Sequence, residues 1–233
     1  MERTFTFGRT SPDDAGTDGP ELAVATTQSN KSQQKVAPPP KFILAPWNFE
    51  KLSFRLASES RTVSCMPILF VMELSTYGRT WVRGIDIWAG ISNQPEFHRS
   101  NILRFGKDLG CFDVERRQGS NGVKQYYFRI SEAIDLVDSG RINGKLMVWM
   151  LQSLKKILLV RPKQTPRIGL LLYAIFVRKL IDRGEIDEYL DNRCANASHI
   201  VRMINMLIGL GFIAERKSNR KRYSTHFVFP ISE

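Results

Sequence analysis

Five cations, Arg216, Lys217, Arg220, Lys221 and Arg222, fall within seven consecutive positions that hold no acid. Side chains of this type at this density do electrostatic chemistry. Laid against a row of phosphates they release condensed counterions, a gain that carries no base information. About a hundred residues earlier, Arg116, Arg117 and Lys124 form a sparser group, partly offset by Glu115. Before each group lies a stretch of helical spacing with polar outward positions: His98, Arg99, Ser100, Arg104 and Lys107 in the first, and Asn196, Ser198, His199, Arg202 and Asn205 in the second. Arg pairs bidentately with guanine and Asn with adenine. Arg99, Arg202 and Asn205 are therefore the residues whose chemistry fits the reading of base edges.

Groupings for bond-making chemistry are missing. Gly140 to Lys145 resembles a phosphate loop but is one residue short, and Leu146 stands where Ser or Thr is needed. No HExxH run or Ser/His/Asp grouping occurs, and the acid pairs Asp135/Asp138 and Asp187/Asp191 are expected on helix surfaces. The three cysteines, Cys65, Cys111 and Cys194, are far apart, and the three histidines do not join them. Neither a disulfide framework nor a zinc site is expected. The reading is of a non-enzymatic chain with no metal and no cofactor.

The net charge is +11 over 233 residues. Within the first 45, five acids cancel five bases, so the excess lies on the part that carries apolar periodicity. A basic folded region points to a polyanionic partner. The N-terminus lacks the apolar core of a signal peptide, and the longest apolar runs fall short of the ~18 residues a membrane span needs. No membrane partner and a cytoplasmic, nucleoid-associated location are expected.

Residues 1–41, rich in Ser, Thr, Gly and Pro and closed by Pro38-Pro39-Pro40, read as a disordered tail. Phe42 to Leu56 has a rough period of two and predicts a strand or strand pair packed on the first domain. Next come a helix from Pro67 to Thr76, a short strand at Thr80 to Val82, a helix from Gly84 to Ala89 and a helix from Pro95 to Leu109. Strands from Phe112 to Arg117 and Val123 to Ile130 close this domain, 42–130, around the hairpin signal Asn121-Gly122. A helical connector, 131–164, is predicted to hold one helix capped by Ser131 and running to Val137 and another over Leu146–Val160. The second domain, 165–233, repeats the order: helices from Ile168 to Ile181, Glu185 to Leu190 and Asn196 or Ser198 to Leu210, then strands from Phe212 to Lys217 and Arg222 to Phe229. Laying Gly110 on Gly211 puts Leu109 on Leu210 and Phe112 on Ile213. The apolar helices 146–160 and 168–181 are candidates for a domain–domain or homodimer contact.

The run Ser198 to Arg202, the pattern Leu207-x-x-x-Gly211-Phe212-Ile213-x-x-Arg216 and Lys221-Arg222-Tyr223 resemble the winged helix-turn-helix superfamily. The earlier copy offers Arg99 to Arg104, Leu109-Gly110-Cys111-Phe112 and Glu115-Arg116-Arg117. The resemblance implies a mainly α fold with small β-hairpins (α+β), arranged as two tandem winged-helix domains. It implies double-stranded DNA as the partner, with transcriptional regulation or plasmid or phage replication control as the role. The tandem layout is loosely similar to that of plasmid replication initiators. A winged-helix protein–protein scaffold is the alternative.

Overall fold

Eight helices and three small antiparallel sheets make up the described residues, so the chain is mainly α with small β-hairpins. The structure, a computed structural model, describes residues 40–59, 66–91, 99–118, 122–160, 166–191, 197–216 and 222–225. The tail expected over 1–41 lies outside these residues except for Pro40 and Lys41.

Two expectations fail near the start and the middle of the chain. Phe42–Leu44 is a strand (β1), but Pro46–Glu59 is a helix (α1), not a second strand. Its buried positions, Phe49, Leu52, Ser53 and Leu56, recur at helical spacing. The false period of two came from Trp47, which is 53% exposed, and from the half-buried Phe54. Ser131 does not start a helix either. Its hydroxyl accepts from Ala133 N in a turn, and Leu136–Asp138 forms a strand (β5) antiparallel to β1, with Ile43 opposite Val137. Arg79 fixes that turn by donating to the carbonyls of Ser131 and Ile134. Asp135 accepts from the Trp47 indole and Asp138 from Gly140 N, so both acids hold local structure.

The next elements follow the expected order. They are α2 (Met66–Ser75), β2 (Val82–Arg83), α3 (Gly84–Ile91), α4 (Arg99–Leu109), β3 (Phe112–Gln118) and β4 (Lys124–Ile130). The sheet order is β2-β4-β3, all antiparallel. Phe70 of α2, Phe112 and Phe128 meet edge to face with centroids 4.9–5.6 Å apart, and Trp88 of α3 joins them at 5.1 Å. Later in the chain α6 (Pro166–Phe176), α7 (Arg183–Asp191), α8 (Ala197–Gly209), β6 (Ile213–Arg216) and β7 (Arg222–Thr225) follow the same order without a counterpart of β2. The helix ends repeat as well. Gly110 and Gly211 both take positive φ, +59° and +74°. Gly110 N donates to Lys107 O and Cys111 N to Gly106 O; Gly211 N donates to Ile208 O and Phe212 N to Leu207 O. This is one Schellman stop written twice at the same offset, and it needs a residue without a Cβ at its left-handed position.

Gly106 has a different reason to be glycine. A Cβ there would come within 1.9 Å of the Phe112 ring, so α4 lies directly on β3. Ala normally favours a helix interior over Gly by about 1 kcal/mol. Here Gly106→Ala is expected to reverse that sign and destabilise the fold by about 1–3 kcal/mol through overpacking, measured by urea denaturation.

Between the repeats, α5 (Ile142–Val160) runs as one helix, starting earlier than the expected Leu146. One hydrophobic cluster takes in α1, α2, α5 and α6 and extends to Leu207 and Ile213. Every residue of α6 from Ile168 to Phe176 is buried. Phe49 of α1 stacks on Tyr173 of α6 at 5.7 Å, and Phe54 meets Tyr189 of α7 at 5.3 Å. Glu50 accepts from Arg178 and from the Tyr189 hydroxyl. Helix α1 therefore packs chiefly as a clasp on the second repeat and also touches α2. Burial first, and the Glu50 carboxylate second, push the Tyr173 phenol up to about 12; burial and the hydrogen bond to Glu50 raise Tyr189 as well. Both folded pKa values lie above the ordinary 10.0. The stability they contribute is complete below about pH 10 and falls as pH rises towards 12. Tyr189→Phe should flatten that alkaline loss in a series of thermal melts, and the loss should keep its full slope only if this phenol does not titrate with unfolding.

Among the described residues, no helix is long and apolar enough to cross a membrane.

Candidate nucleic-acid interface

Strand alternation sorts the first hairpin into two faces. Phe112, Val114 and Arg116 of β3 share a face with Phe128, Tyr126 and Lys124 of β4. Phe112 and Phe128 are core residues on this face, and α4 packs against it at Gly106. Arg116 and Lys124 thus continue the helix-covered face outward to the hairpin tip. The outward positions of α4 include Arg104 and Lys107, both exposed. Its buried side is Ile102 and Phe105. Arg104, Lys107, Arg116 and Lys124 make no ion pair with another described residue. Asp108 is the only acid in α4. The Arg116 guanidinium lies 5.7 Å from the Tyr126 ring centre, a cation–π contact that positions the charge without neutralising it.

The opposite face has a different electrostatic character. Arg117 turns there and meets Glu115 at 2.6 Å. Arg129 pairs with Asp113 at 2.7 Å, and Arg83 takes both oxygens of Asp86 at 2.8 and 2.9 Å. Those carboxylates raise the Arg83 and Arg129 pKa values further through hydrogen bonding. Trp81 lies under Arg117 and Arg129, with centroids 5.2 and 4.9 Å away, and Tyr127 lies 4.7 Å from Arg117. Each arginine here has its own acid, so the face has little net charge to offer phosphate. Of the expected first-hairpin cations, Arg116 and Lys124 fall together with α4, and Arg117 does not. The signal for this lay in the sequence: Glu115 and Arg117 are two apart on a strand and must share a face.

In the second repeat, Ile200, Met203, Ile204 and Leu207 are the buried side of α8, and Ser198, His199, Arg202 and Asn205 are exposed. Backbone register sets Arg216 directly opposite Arg222 at the end of the β6–β7 ladder. His98, Asn196, Lys217, Arg220 and Lys221 lie outside the described residues, as do the side chains of Arg99, Ser100, Arg216 and Arg222.

Arginine and lysine displayed on a helix and an adjoining hairpin, on one side of a sheet, form a surface suited to a rod of regularly spaced negative charge. The Tyr126 ring holds one of these cations, Arg116, and the described arginines on the far side are paired with acids. Comparison with protein-family models, curated proteins and solved structures gives no match for this chain.

Proposed function

We propose that this protein is a non-enzymatic, sequence-specific double-stranded DNA-binding protein built on two winged-helix modules, acting where DNA is housed in the cell. The observation that carries the reading is the sorting of charge on the first module. Arg104 and Lys107 of α4 and Arg116 and Lys124 of the hairpin share one side of the sheet without carboxylate partners among the described residues, while Arg83, Arg117 and Arg129 are paired on the other. The helix–helix–helix–hairpin order found twice and the twice-written Schellman stop support the two-module form. In this reading α4 and α8 lie in major grooves, with Arg99, Arg202 and Asn205 facing bases, while Arg116, Lys124 and the 216–222 cluster rest on phosphates. Arg117 is placed in a supporting role, holding the aromatic face.

Regulation of transcription and control of replication in a plasmid or phage replicon use the same binding physics. Capture and sequencing of bound genomic DNA separates them: sites over promoters support the first, and clustered repeats at an origin support the second. Recovery of random DNA alone would leave the sequence-specific reading without support. Arg202→Ala is expected to cost about 1–3 kcal/mol on the best captured site and to narrow the gap to random duplex, as measured by fluorescence anisotropy. A homodimer through 146–160 and 168–181 would have little exposed apolar surface to use. The second of these helices is consumed by the core, and Leu159, 76% exposed, is the large apolar side chain that the first presents outward.

A further inference from the structure

Between α3, α4 and β4 lies a cleft of about 500 Å³. Its floor is Phe70, Trp88, Ile102 and Phe128, none more than 8% exposed. Leu103 and Ile85 form the mouth, and Ile85 is 64% exposed there. Arg83 and Lys124 are the cationic residues among its described lining residues. Arg83 is held by both oxygens of Asp86, whereas Lys124 makes no ion pair with another described residue. No carboxylate is found among the described lining residues.

These features define a ligand by its chemistry. A cavity of this size takes a small organic molecule. Walls with four aromatic residues, Phe70, Trp88, Tyr126 and Phe128, favour a flat, apolar body. One uncompensated ammonium among the lining residues favours an anionic end, because a charge-assisted hydrogen bond is the strongest polar contact the site can make. We propose that this cleft is a binding site for a small aromatic carboxylate, with its ring against Ile85, Trp88, Leu103 and Tyr126 and its carboxylate on Lys124. Lys124 is also one of the cations facing phosphate in the DNA reading. Ligand and duplex then compete for it, a consequence that rests on that reading while the binding itself does not.

The test uses the full chain and 1-naphthoate as the probe, with the neutral 1-naphthalenemethanol for comparison, by titration calorimetry. Saturable binding of naphthoate at one site is expected. Lys124→Gln should weaken naphthoate about tenfold and leave the alcohol nearly unchanged. Ile85→Glu, at an exposed position, should weaken naphthoate about tenfold or more by setting a like charge at the mouth. Heat that never saturates, or equal naphthoate affinity in wild type and both variants, overturns the site. A duplex titration in saturating naphthoate keeps the two ideas apart. Naphthoate binding with the stated variant pattern but no duplex binding upholds the cleft and sinks the DNA reading. Duplex binding without naphthoate binding does the reverse.

Discussion

Removing the four unpaired cations, as Arg104→Gln, Lys107→Gln, Arg116→Gln and Lys124→Gln together, is expected to lower duplex affinity on the order of 10³-fold near 0.1 M salt. The same variant should flatten the plot of log affinity against log salt by about 3–4. The magnitude follows from counterion release, in which each phosphate contact contributes about 0.9 to the slope. The losses should fall alike on specific and random duplex, since phosphate contacts hold no base information. Arg117→Gln provides the internal control. Its guanidinium is bound to Glu115, on the other face of the hairpin from Arg116. Removing it leaves Glu115 unpaired and adds negative charge, but takes away no phosphate contact, so the slope should shift by well under one contact. A slope change equal to that of Arg116→Gln would mean the two faces do not differ in function.

Lys155→Met is expected to destabilise the fold by about 3–5 kcal/mol, read from urea midpoints. Lys155 on α5 meets Glu73 on α2 at 2.6 Å, and the side chains are 17% and 10% exposed. The ammonium approaches Glu73 Oε2 outside the angles of a directed hydrogen bond, so the contact is chiefly Coulombic. Every other residue of α2 is buried too, so the carboxylate has little contact with water. Taking away the lysine alone strands a charge in an apolar setting, which costs far more than the net value of the pair. The double variant Glu73→Leu with Lys155→Met removes both charges and is expected to regain most of the loss. If the double variant is as unstable as the single, the cost comes from packing and not from the unpaired carboxylate.

Much of this architecture was legible where local rules decide structure. The elements α2 to β4 followed from apolar spacing, the stop glycine Gly110 and the hairpin signal between β3 and β4, all of which act within a few residues. The same rules located α8 and its hairpin. They failed where a distant partner decides. Leu136 to Asp138 becomes a strand only because Phe42 to Leu44 lies beside it, and no local pattern around Ser131 reports that pairing. Pro46 to Glu59 was misread because its helix has two wet or half-wet aromatic positions, and the segment packs against α6, more than a hundred residues away. At the candidate interface the exposure of Arg104 and Lys107 on α4 and of Ser198, His199, Arg202 and Asn205 on α8 was readable from helical spacing. What the spacing could not supply was the partner of each cation, since the pairing of Arg129 with Asp113 depends on the β3–β4 register.

The clasp formed by α1 decides how this chain can be divided. A cut in 161–165 would sever the backbone but leave Phe49 on Tyr173 and Glu50 on Arg178 and Tyr189, so the two fragments should stay associated and elute together. Each piece expressed alone would instead present water with a broad greasy surface, the inner side of α1 in one and all of α6 in the other. Mixing the pieces during refolding should restore what neither possesses by itself.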